Sequence, residues 1–165
     1  MDRIETTLCL LKKGNKILLA KKKRGFGIGK YNGIGGKIEN GETIEQAMIR
    51  ETQEEINVTP MTYEKVGVME FDEYYKGIKQ NLVFYLYIVY EWKDEPSESD
   101  EMIPKWFNIK DIPYDEMFPD DKYWLPLILA GNKIKAYFKF DENFNLLSKK
   151  IENETRSSNY KYWNW

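Results

Sequence analysis

Apolar and polar residues alternate in short runs along much of the chain, a pattern typical of β-strands that bury one face. The first two runs flank Gly14-Asn15, a dipeptide that favours a hairpin turn. Residues 93–101 are mostly acidic and contain a proline, which indicates a loop. The predicted strands cover residues 4–12, 16–20, 66–71, 81–92, 102–109, 133–140 and 145–151.

A helical period replaces this alternation after residue 43. Apolar or small residues recur at every fourth position from Ile44 to Ile56, which predicts an α-helix. Thr43 and Gln46 have the spacing of a capping box at its start. Asn57 suits the left-handed residue that ends many helices.

A second helix is predicted at residues 120–130, where Pro119 can begin it, although Pro126 lies inside it. Seven strands and two helices in a chain of 165 residues predict one mixed-sheet α/β domain. We assign this domain to residues 1–152. Residues 153–165 mix Asn, Ser and aromatic residues without a period and are assigned as a C-terminal tail.

The composition removes several kinds of catalysis. The chain contains no histidine and one cysteine, Cys9, which lies in an apolar run. Ser-His-Asp and Cys-His nucleophile systems and His-ligated zinc are therefore excluded. A lone cysteine cannot form an internal disulfide, which suits a reducing compartment. Carboxylates and lysines must carry any catalysis.

Charge and hydropathy restrict location and partners. The net charge of −2 does not favour a general nucleic-acid binder. No apolar stretch reaches the roughly 18 residues of a membrane span. Residues 1–5 lack the apolar segment of a secretory signal. We expect a cytoplasmic monomer that binds a small molecule and has no membrane or stable nucleic-acid partner.

Seven of the 11 glycines lie between residues 25 and 41, which raises the possibility of a phosphate-binding loop. No window has G-x-G-x-x-G between a strand and a helix. Lys30 and Lys37 are followed by Tyr31 and Ile38 rather than by the Ser or Thr of a P-loop. Neither a Rossmann site nor a P-loop is predicted.

Three carboxylates share one face of the first predicted helix. Glu51, Glu54 and Glu55 lie at positions i, i+3 and i+4, within an arc of roughly 100°. Carboxylates so placed repel one another, and a divalent cation would reverse that effect. The alternative is a solvated acidic helix face.

The spacing around this helix resembles the motif of the Nudix hydrolase family, G-x5-E-x7-R-E-U-x-E-E-x-G-U, where U is aliphatic. Gly36 and Glu42 match its first two positions, and Arg50-Glu51 and Glu54-Glu55 match the next four. Every charged position of the motif is therefore present. Arg50 is expected to orient Glu51 or its neighbours through a bidentate ion pair.

Two positions differ from the motif. Thr52 replaces an aliphatic residue, and Asn57 replaces the glycine that ends the helix. Asn is the next-best residue for a left-handed cap, and Thr52 is small and β-branched. We expect slight destabilisation with the chemistry retained.

Further segments resemble the mammalian MutT branch of this family, and the likeness covers residues 7–150. It implies a Nudix fold, an α/β/α sandwich around a mixed β-sheet with a loop-helix-loop motif. It also implies hydrolysis of oxidised purine nucleoside triphosphates, such as 8-oxo-dGTP and 2-hydroxy-dATP, to the monophosphate and pyrophosphate. Such a reaction sanitises the nucleotide pool and prevents mutation. The matching segments are residues 22–27, 32–33, 35–37, 41–45, 98–102, 119–124 and 137–140.

The resemblance implies Mg²⁺, for which Mn²⁺ can substitute. Oxygen ligands suit an ion that is shared with substrate phosphates. Glu54 is expected to activate the attacking water, and Glu101 is the second candidate. The implied metal ligands are the carbonyl of Gly35 with Glu51, Glu54, Glu55 and Glu101, and the implied catalytic set is Glu54, Glu51, Arg50 and Glu101.

The resemblance also implies the residues that bind substrate. Lys22 is expected to contact a phosphate, and the alternative is a solvated lysine. Asp120-Asp121 can accept hydrogen bonds from a purine edge, or can simply begin a helix. Three of the set, at positions 71, 82 and 102, are equally well interpreted as core residues. The full set is Thr7, Lys22, Phe26, Asn32, Ile34, Gly36, Lys37, Phe71, Leu82, Met102, Phe118, Pro119, Asp120, Asp121 and Trp124.

Three residues in this set or beside it differ from the mammalian pattern. Phe118 replaces a tryptophan, Glu73 an aromatic residue and Leu82 a methionine. The preference among oxidised and alkylated purines therefore stays open. Two other functions also stay open: a Nudix hydrolase of dinucleoside polyphosphates or capped RNA, and a non-catalytic nucleotide-binding module. The complete set of motif carboxylates argues against the second.

Overall fold

The computed structural model describes residues 3–155, which divide into two compact units. We call residues 6–65 and 87–118 the motif unit, and residues 3–5, 66–86 and 119–155 the C-terminal unit. Strands β4 and β5 contribute residues to both. In chain order the elements are β1 (Arg3–Lys13), β2 (Lys16–Lys22), β3 (Tyr31–Asn32), α1 (Ile44–Ile56), β4 (Thr59–Tyr75), β5 (Ile78–Lys93), β6 (Met102–Asn108), two 3-10 helices (Ile109–Asp111 and Tyr114–Glu116), α2 (Asp121–Leu129), β7 (Ile134–Phe140) and β8 (Leu146–Asn153).

In the motif unit, β1 and β2 form the predicted antiparallel hairpin, and β2 also pairs with β3 and β6. The strand order in this unit is β3-β2-β1-β5. Residues 17–20 of β2 are all buried. Burial on both faces of the strand explains why this segment is a continuous apolar run rather than an alternating one.

Helix α1 is bounded by the predicted capping residues. The Thr43 hydroxyl accepts a hydrogen bond from the Gln46 backbone N–H at 3.1 Å, and the Gln46 side-chain oxygen accepts one from the Thr43 N–H at 2.9 Å. Asn57 adopts the left-handed conformation, with φ 62° and ψ 34°. The capping box and the left-handed cap are thus confirmed. The buried face of the helix consists of Ala47, Met48, Thr52, Glu55 and Ile56.

Residues 33–37 lie directly against β1. The Thr7 N–H donates to the Gly36 carbonyl at 2.9 Å, and the Cys9 N–H donates to the Ile34 carbonyl at 2.7 Å. A Cβ atom on Gly35 would lie 1.7 Å from the Thr7 carbonyl oxygen. Glycine is therefore required at position 35 because the two backbones touch, and not because of a left-handed φ.

In the C-terminal unit, β7 pairs in parallel with β4 and antiparallel with β8, so the sheet is mixed as predicted. The strand order in this unit is β5-β4-β7-β8. Phe71 of β4 stacks on Phe138 and Phe140 of β7, with ring centroids 5.2 and 6.0 Å apart, and these rings form much of the core. Helix α2 contains Pro126 and contacts β7. Among the described residues, no helix is long and apolar enough to cross a membrane.

All predicted strands and both predicted helices are present, and the largest difference is in β4. This strand has 17 residues, whereas the prediction covers residues 66–71. Its first half contains Pro60 and exposes Met61 and Thr62, so it lacks the alternation that marked the rest. The two-residue strand β3 was also missed. Strand β8 runs to Asn153, and the predicted tail from residue 156 onward lies outside the described residues.

We expect Gly35→Ala to lower the free energy of unfolding by more than about 2 kcal/mol, because the added methyl group overlaps a backbone oxygen. Urea unfolding followed by circular dichroism measures the loss. Gly14→Ala is the matched control, since Gly14 has φ +59° and nothing within 4 Å of the added Cβ. Gly14→Ala should lower the free energy of unfolding by about 1 kcal/mol, because alanine is strained at a positive φ. Equal losses in the two variants would contradict the close contact.

Candidate active site

The Arg50 guanidinium is the centre of an ion-pair network on α1. Its Nε and Nη2 donate to the two carboxylate oxygens of Glu42 at 2.7 and 2.9 Å. Its Nη1 donates to Glu51 at 2.8 Å and to Glu54 at 3.2 Å, and Nη2 also donates to the Lys37 carbonyl at 3.1 Å. The hydrogen bonds with Glu42 raise the pKa of Arg50 and lower that of Glu42. The bidentate partner of Arg50 is therefore Glu42, and Glu51 accepts a single bond.

Burial and neighbouring negative charges oppose the ionisation of Glu51 and Glu55. Burial raises the pKa of Glu55 to about 8, and the negative charges of Glu51 and Glu101 contribute to the increase. Burial also raises the pKa of Glu51, against the effect of Arg50, and Glu54 and Glu101 add to it. These side chains are close enough for their charges to interact, which makes the cluster unfavourable without positive charge.

Two glycines bring the peptide backbone up to this cluster. The Gly35 N–H donates to Glu55 at 3.3 Å. A Cβ atom on Gly36 would lie 2.5 Å from the carboxyl group of Glu51. A larger residue at position 35 would collide with the β1 backbone at Thr7, and one at position 36 would displace the Glu51 carboxyl group.

The loop before β6 carries Glu101. The Glu101 backbone accepts a hydrogen bond from the Lys23 N–H at 2.8 Å and donates one to the Ser99 hydroxyl at 3.2 Å. Its carboxylate accepts a hydrogen bond from Arg24 Nη2 at 3.3 Å. The ammonium group of Lys23 pairs instead with Glu98 at 3.1 Å. The contact between Arg24 and Glu101 was missed from the sequence, since the two residues are 77 positions apart.

The donor set fits a hard divalent cation. Carboxylate and peptide oxygens are the ligands that such an ion prefers, and a cation would offset the negative charge that contributes to the raised pKa values of Glu51 and Glu55. Among residues 3–155, however, no three acidic side chains converge closely enough to enclose an ion as they stand. Arg50 and Arg24 hold Glu51, Glu54 and Glu101 in the arrangement seen here.

Lys22 is at the end of β2, opposite Met102 of β6. Its positive charge lowers the pKa of Glu55, against the larger effect of burial. The ammonium group is thus within electrostatic range of the acidic cluster. This position is compatible with the predicted phosphate contact, which stays a prediction.

Nine of the predicted substrate-binding residues are in the motif unit. Phe26 is 41 % exposed and stacks on Phe118, with ring centroids 5.5 Å apart. The ammonium group of Lys30 lies 5.8 Å from the centroid of the Phe118 ring. Thr7 is buried, and its hydroxyl has no hydrogen-bond partner among the described residues. The nine are Thr7, Lys22, Phe26, Asn32, Ile34, Gly36, Lys37, Met102 and Phe118.

The other six are in the C-terminal unit. Asp120 is buried at the start of α2, where its carboxylate accepts a hydrogen bond from the Trp124 indole at 2.8 Å. Burial raises the pKa of Asp120, although this hydrogen bond opposes the increase. Phe71 belongs to the aromatic core, in line with one of its two interpretations. The six are Phe71, Leu82, Pro119, Asp120, Asp121 and Trp124.

Glu73 of β4 is a further buried carboxyl group. Its side chain accepts a hydrogen bond from the Gln80 amide at 3.0 Å, and the residue is only 4 % exposed. Burial raises the pKa of Glu73 to about 7, and the charge of Asp120 adds to the increase. The sequence contained a signal for this position: an acidic residue in the alternating buried set Met69, Phe71 and Glu73.

The glycine-rich segment, the acidic helix and the mixed sheet define a Nudix protein. A model of the NUDIX domain matches residues 1–128, so the chain belongs to this family. It is 41 % identical over 146 residues to the oxidized purine nucleoside triphosphate hydrolase of Danio rerio, covering 88 % of this chain and 92 % of that protein. The protein of the same name from Mus musculus is 39 % identical over 142 residues, covering 86 % and 90 %. The predicted family and branch are confirmed.

Solved structures confirm the predicted fold. The mutator MutT protein of Bacillus halodurans superimposes with a TM-score of 0.77 and 24 % identity, over 90 % of this chain and 97 % of that one. A MutT NUDIX hydrolase from Burkholderia pseudomallei gives a TM-score of 0.63 and 25 % identity, over 68 % and 88 %. Nudix hydrolases generally use divalent metal ions, in agreement with the oxygen-rich cluster described above.

We expect Glu73→Gln to change how stability depends on pH. The pKa of Glu73 is about 7 in the folded protein against 4.5 for an ordinary glutamate, so folding favours the protonated form. The contribution of this raised pKa to the free energy of unfolding is fully present below pH 4.5. It declines as the pH rises to 7 and is lost above that. As the pH rises from 4.5 to 7, the free energy of unfolding of the variant should therefore increase by roughly 3 kcal/mol relative to that of the wild type.

Urea unfolding at several pH values between 4 and 8 measures this difference. Glu70→Gln is the matched control, because Glu70 is on the same strand but pairs with Asn81 and is less buried. Parallel stability curves for the wild type and Glu73→Gln would show that Glu73 ionises normally in the folded state.

Proposed function

We propose that the protein hydrolyses oxidised purine nucleoside triphosphates to the monophosphate and pyrophosphate, and so sanitises the nucleotide pool. The observation that carries this proposal is the group of interacting carboxylates Glu51, Glu55 and Glu101. The Gly35 N–H donates a hydrogen bond to Glu55, and Arg50 donates one to Glu51. The names of the Danio rerio and Mus musculus relatives support the substrate class. We further propose that the protein acts as a monomer in the cytoplasm.

The resident ion in this proposal is Mg²⁺, with Mn²⁺ as a substitute. The residues that would hold it are Gly35, through its carbonyl, and Glu51, Glu54, Glu55 and Glu101. When bound, such an ion neutralises charge on the phosphate oxygens. Hard oxygen donors and the absence of histidine from the chain favour Mg²⁺ over softer transition metals.

Glu54 is the proposed general base. Its side chain is 58 % exposed, more than those of Glu42 and Glu51, and a single hydrogen bond joins it to Arg50. It is thus open to solvent while Arg50 limits its orientation. In the proposed reaction Glu54 takes a proton from a water molecule as the water oxygen attacks phosphorus. The anhydride bond between the α- and β-phosphates breaks, the water oxygen is bonded to one of the two phosphorus atoms, and the phosphate on the other leaves with the electron pair, which gives the monophosphate and pyrophosphate.

Asp120 is the proposed base-recognition residue. Its carboxyl group is buried, accepts a hydrogen bond from a neutral indole, and has a raised pKa. Such a group can accept from purine N–H groups when ionised and can donate when protonated. Glu73 beside it is polar where the mammalian pattern has an aromatic ring, so the ranking among oxidised purines should differ from that of the mammalian relative.

A substrate panel with Mg²⁺ tests the reaction directly. Purified full-length protein is incubated with 8-oxo-dGTP, 2-hydroxy-dATP, dGTP, a diadenosine polyphosphate or capped RNA, and the products are separated chromatographically. We expect the highest kcat/KM for an oxidised purine triphosphate, with monophosphate and pyrophosphate as products. Preferential cleavage of the dinucleotide or of capped RNA would replace the proposed substrate class. Binding without turnover of any compound would indicate a nucleotide-binding module.

Glu54→Gln should lower kcat by about 10² to 10⁴-fold, because the amide cannot accept the proton of the attacking water. The nucleotide should still bind, because glutamine has the same size as glutamate and the other proposed ligands of the ion remain. Pyrophosphate release measures the first effect, and calorimetric titration with the nucleotide measures the second. The matched control is Glu45→Gln on the same helix, whose carboxylate bonds to the Tyr63 hydroxyl instead. If Glu54→Gln keeps most of the activity, another residue is the base.

A further inference from the structure

Two arginines neutralise the acidic cluster, and they differ in how firmly they are held. Arg50 hydrogen-bonds to Glu42, Glu51 and Glu54 and to a backbone carbonyl, and its side chain is 22 % exposed. Arg24 makes one hydrogen bond, at 3.3 Å to Glu101, and its side chain is 65 % exposed. Arg50 is therefore held firmly in the site. The single exposed bond between Arg24 and Glu101 can be broken at a small cost in free energy.

The carboxylate that Arg24 holds belongs to the cluster. The Glu101 side chain is 46 % exposed, yet its charge contributes to the raised pKa values of both Glu51 and Glu55. Its backbone is fixed independently of the side chain, by hydrogen bonds with Lys23 and Ser99. The carboxylate can therefore rotate away from Arg24 without any movement of the loop.

We propose that Arg24 is a positioning residue for the Glu101 carboxylate, and that a divalent cation competes with Arg24 for this carboxylate. The inference rests on the proposed function, in which Glu101 is a ligand of the ion.

The competition has a defined direction. Binding of the ion to Glu101 requires loss of the pair with Arg24, so this pair weakens the affinity for the ion. Removal of the Arg24 guanidinium should therefore tighten binding. If Arg24 instead preorganised Glu101 for the ion, its removal would weaken binding. The sign of the change distinguishes the two roles.

The test is a calorimetric titration of the full-length protein with Mn²⁺ alone, for the wild type, Arg24→Ala, Glu101→Gln and the double variant. Because an exposed ion pair is weak, we expect Arg24→Ala to lower the dissociation constant by about two- to five-fold. Glu101→Gln should raise it. In the double variant the effect of Arg24→Ala should disappear. Arg24→Lys, which keeps the charge, should stay closer to the wild type.

Lys21→Ala is the matched control for net charge, because Lys21 is three residues from Arg24 and its ammonium group lies over the Tyr31 ring, 5.6 Å from the centroid. An equal tightening in Lys21→Ala, or one that persists in the Glu101→Gln background, would show that the effect of Arg24 is general electrostatics and would overturn the proposal. Unchanged or weaker binding in Arg24→Ala would also overturn it. If Glu101→Gln itself leaves Mn²⁺ affinity unchanged, the ligand assignment in the proposed function fails together with it.

Discussion

The mutual repulsion of Glu51, Glu55 and Glu101 is the constraint around which the motif unit is organised. Burial raises the pKa of Glu51 and of Glu55, and the negative charge of Glu101 adds to both increases. A fold that only had to be stable would not place these carboxylates together. Arg50 offsets part of the cost through its bonds with Glu51, Glu54 and Glu42. The remaining excess of negative charge makes the site suited to a cation.

The glycine-rich segment serves the same arrangement by allowing backbone contact. The Gly35 position leaves no room for a Cβ atom beside Thr7, and that of Gly36 leaves none beside Glu51. The backbone can therefore lie between β1 and the acidic face of α1. Other glycines in the segment have a different reason, since Gly25, Gly27 and Gly29 have φ near +80°. One cluster of glycines thus meets two distinct steric requirements.

Local sequence signals predicted most of the fold and part of the site. The capping box, Asn57 and the hairpin at Gly14-Asn15 depend on neighbours a few residues apart, and all were found. The first half of β4 was missed because Pro60 and its exposed polar residues hide the alternation. The pairing of Arg24 with Glu101 and the bidentate pairing of Arg50 with Glu42 were also missed. Such contacts depend on side-chain positions that spacing along a chain does not define.

Four buried or half-buried acidic residues, Glu51, Glu55, Glu73 and Asp120, fall into two classes with different partners. Glu51 accepts a hydrogen bond from Arg50, and the positive charge of Lys22 lowers the pKa of Glu55 against the larger effect of burial. Each of these two carboxyl groups is therefore near a positive charge. Glu73 and Asp120 are bonded to neutral N–H donors, the Gln80 amide and the Trp124 indole. A carboxyl group without a cationic partner reduces its cost by holding a proton, and then offers both a donor and an acceptor. The first class therefore suits a metal ion and phosphate, and the second suits the hydrogen-bonding edge of a neutral base.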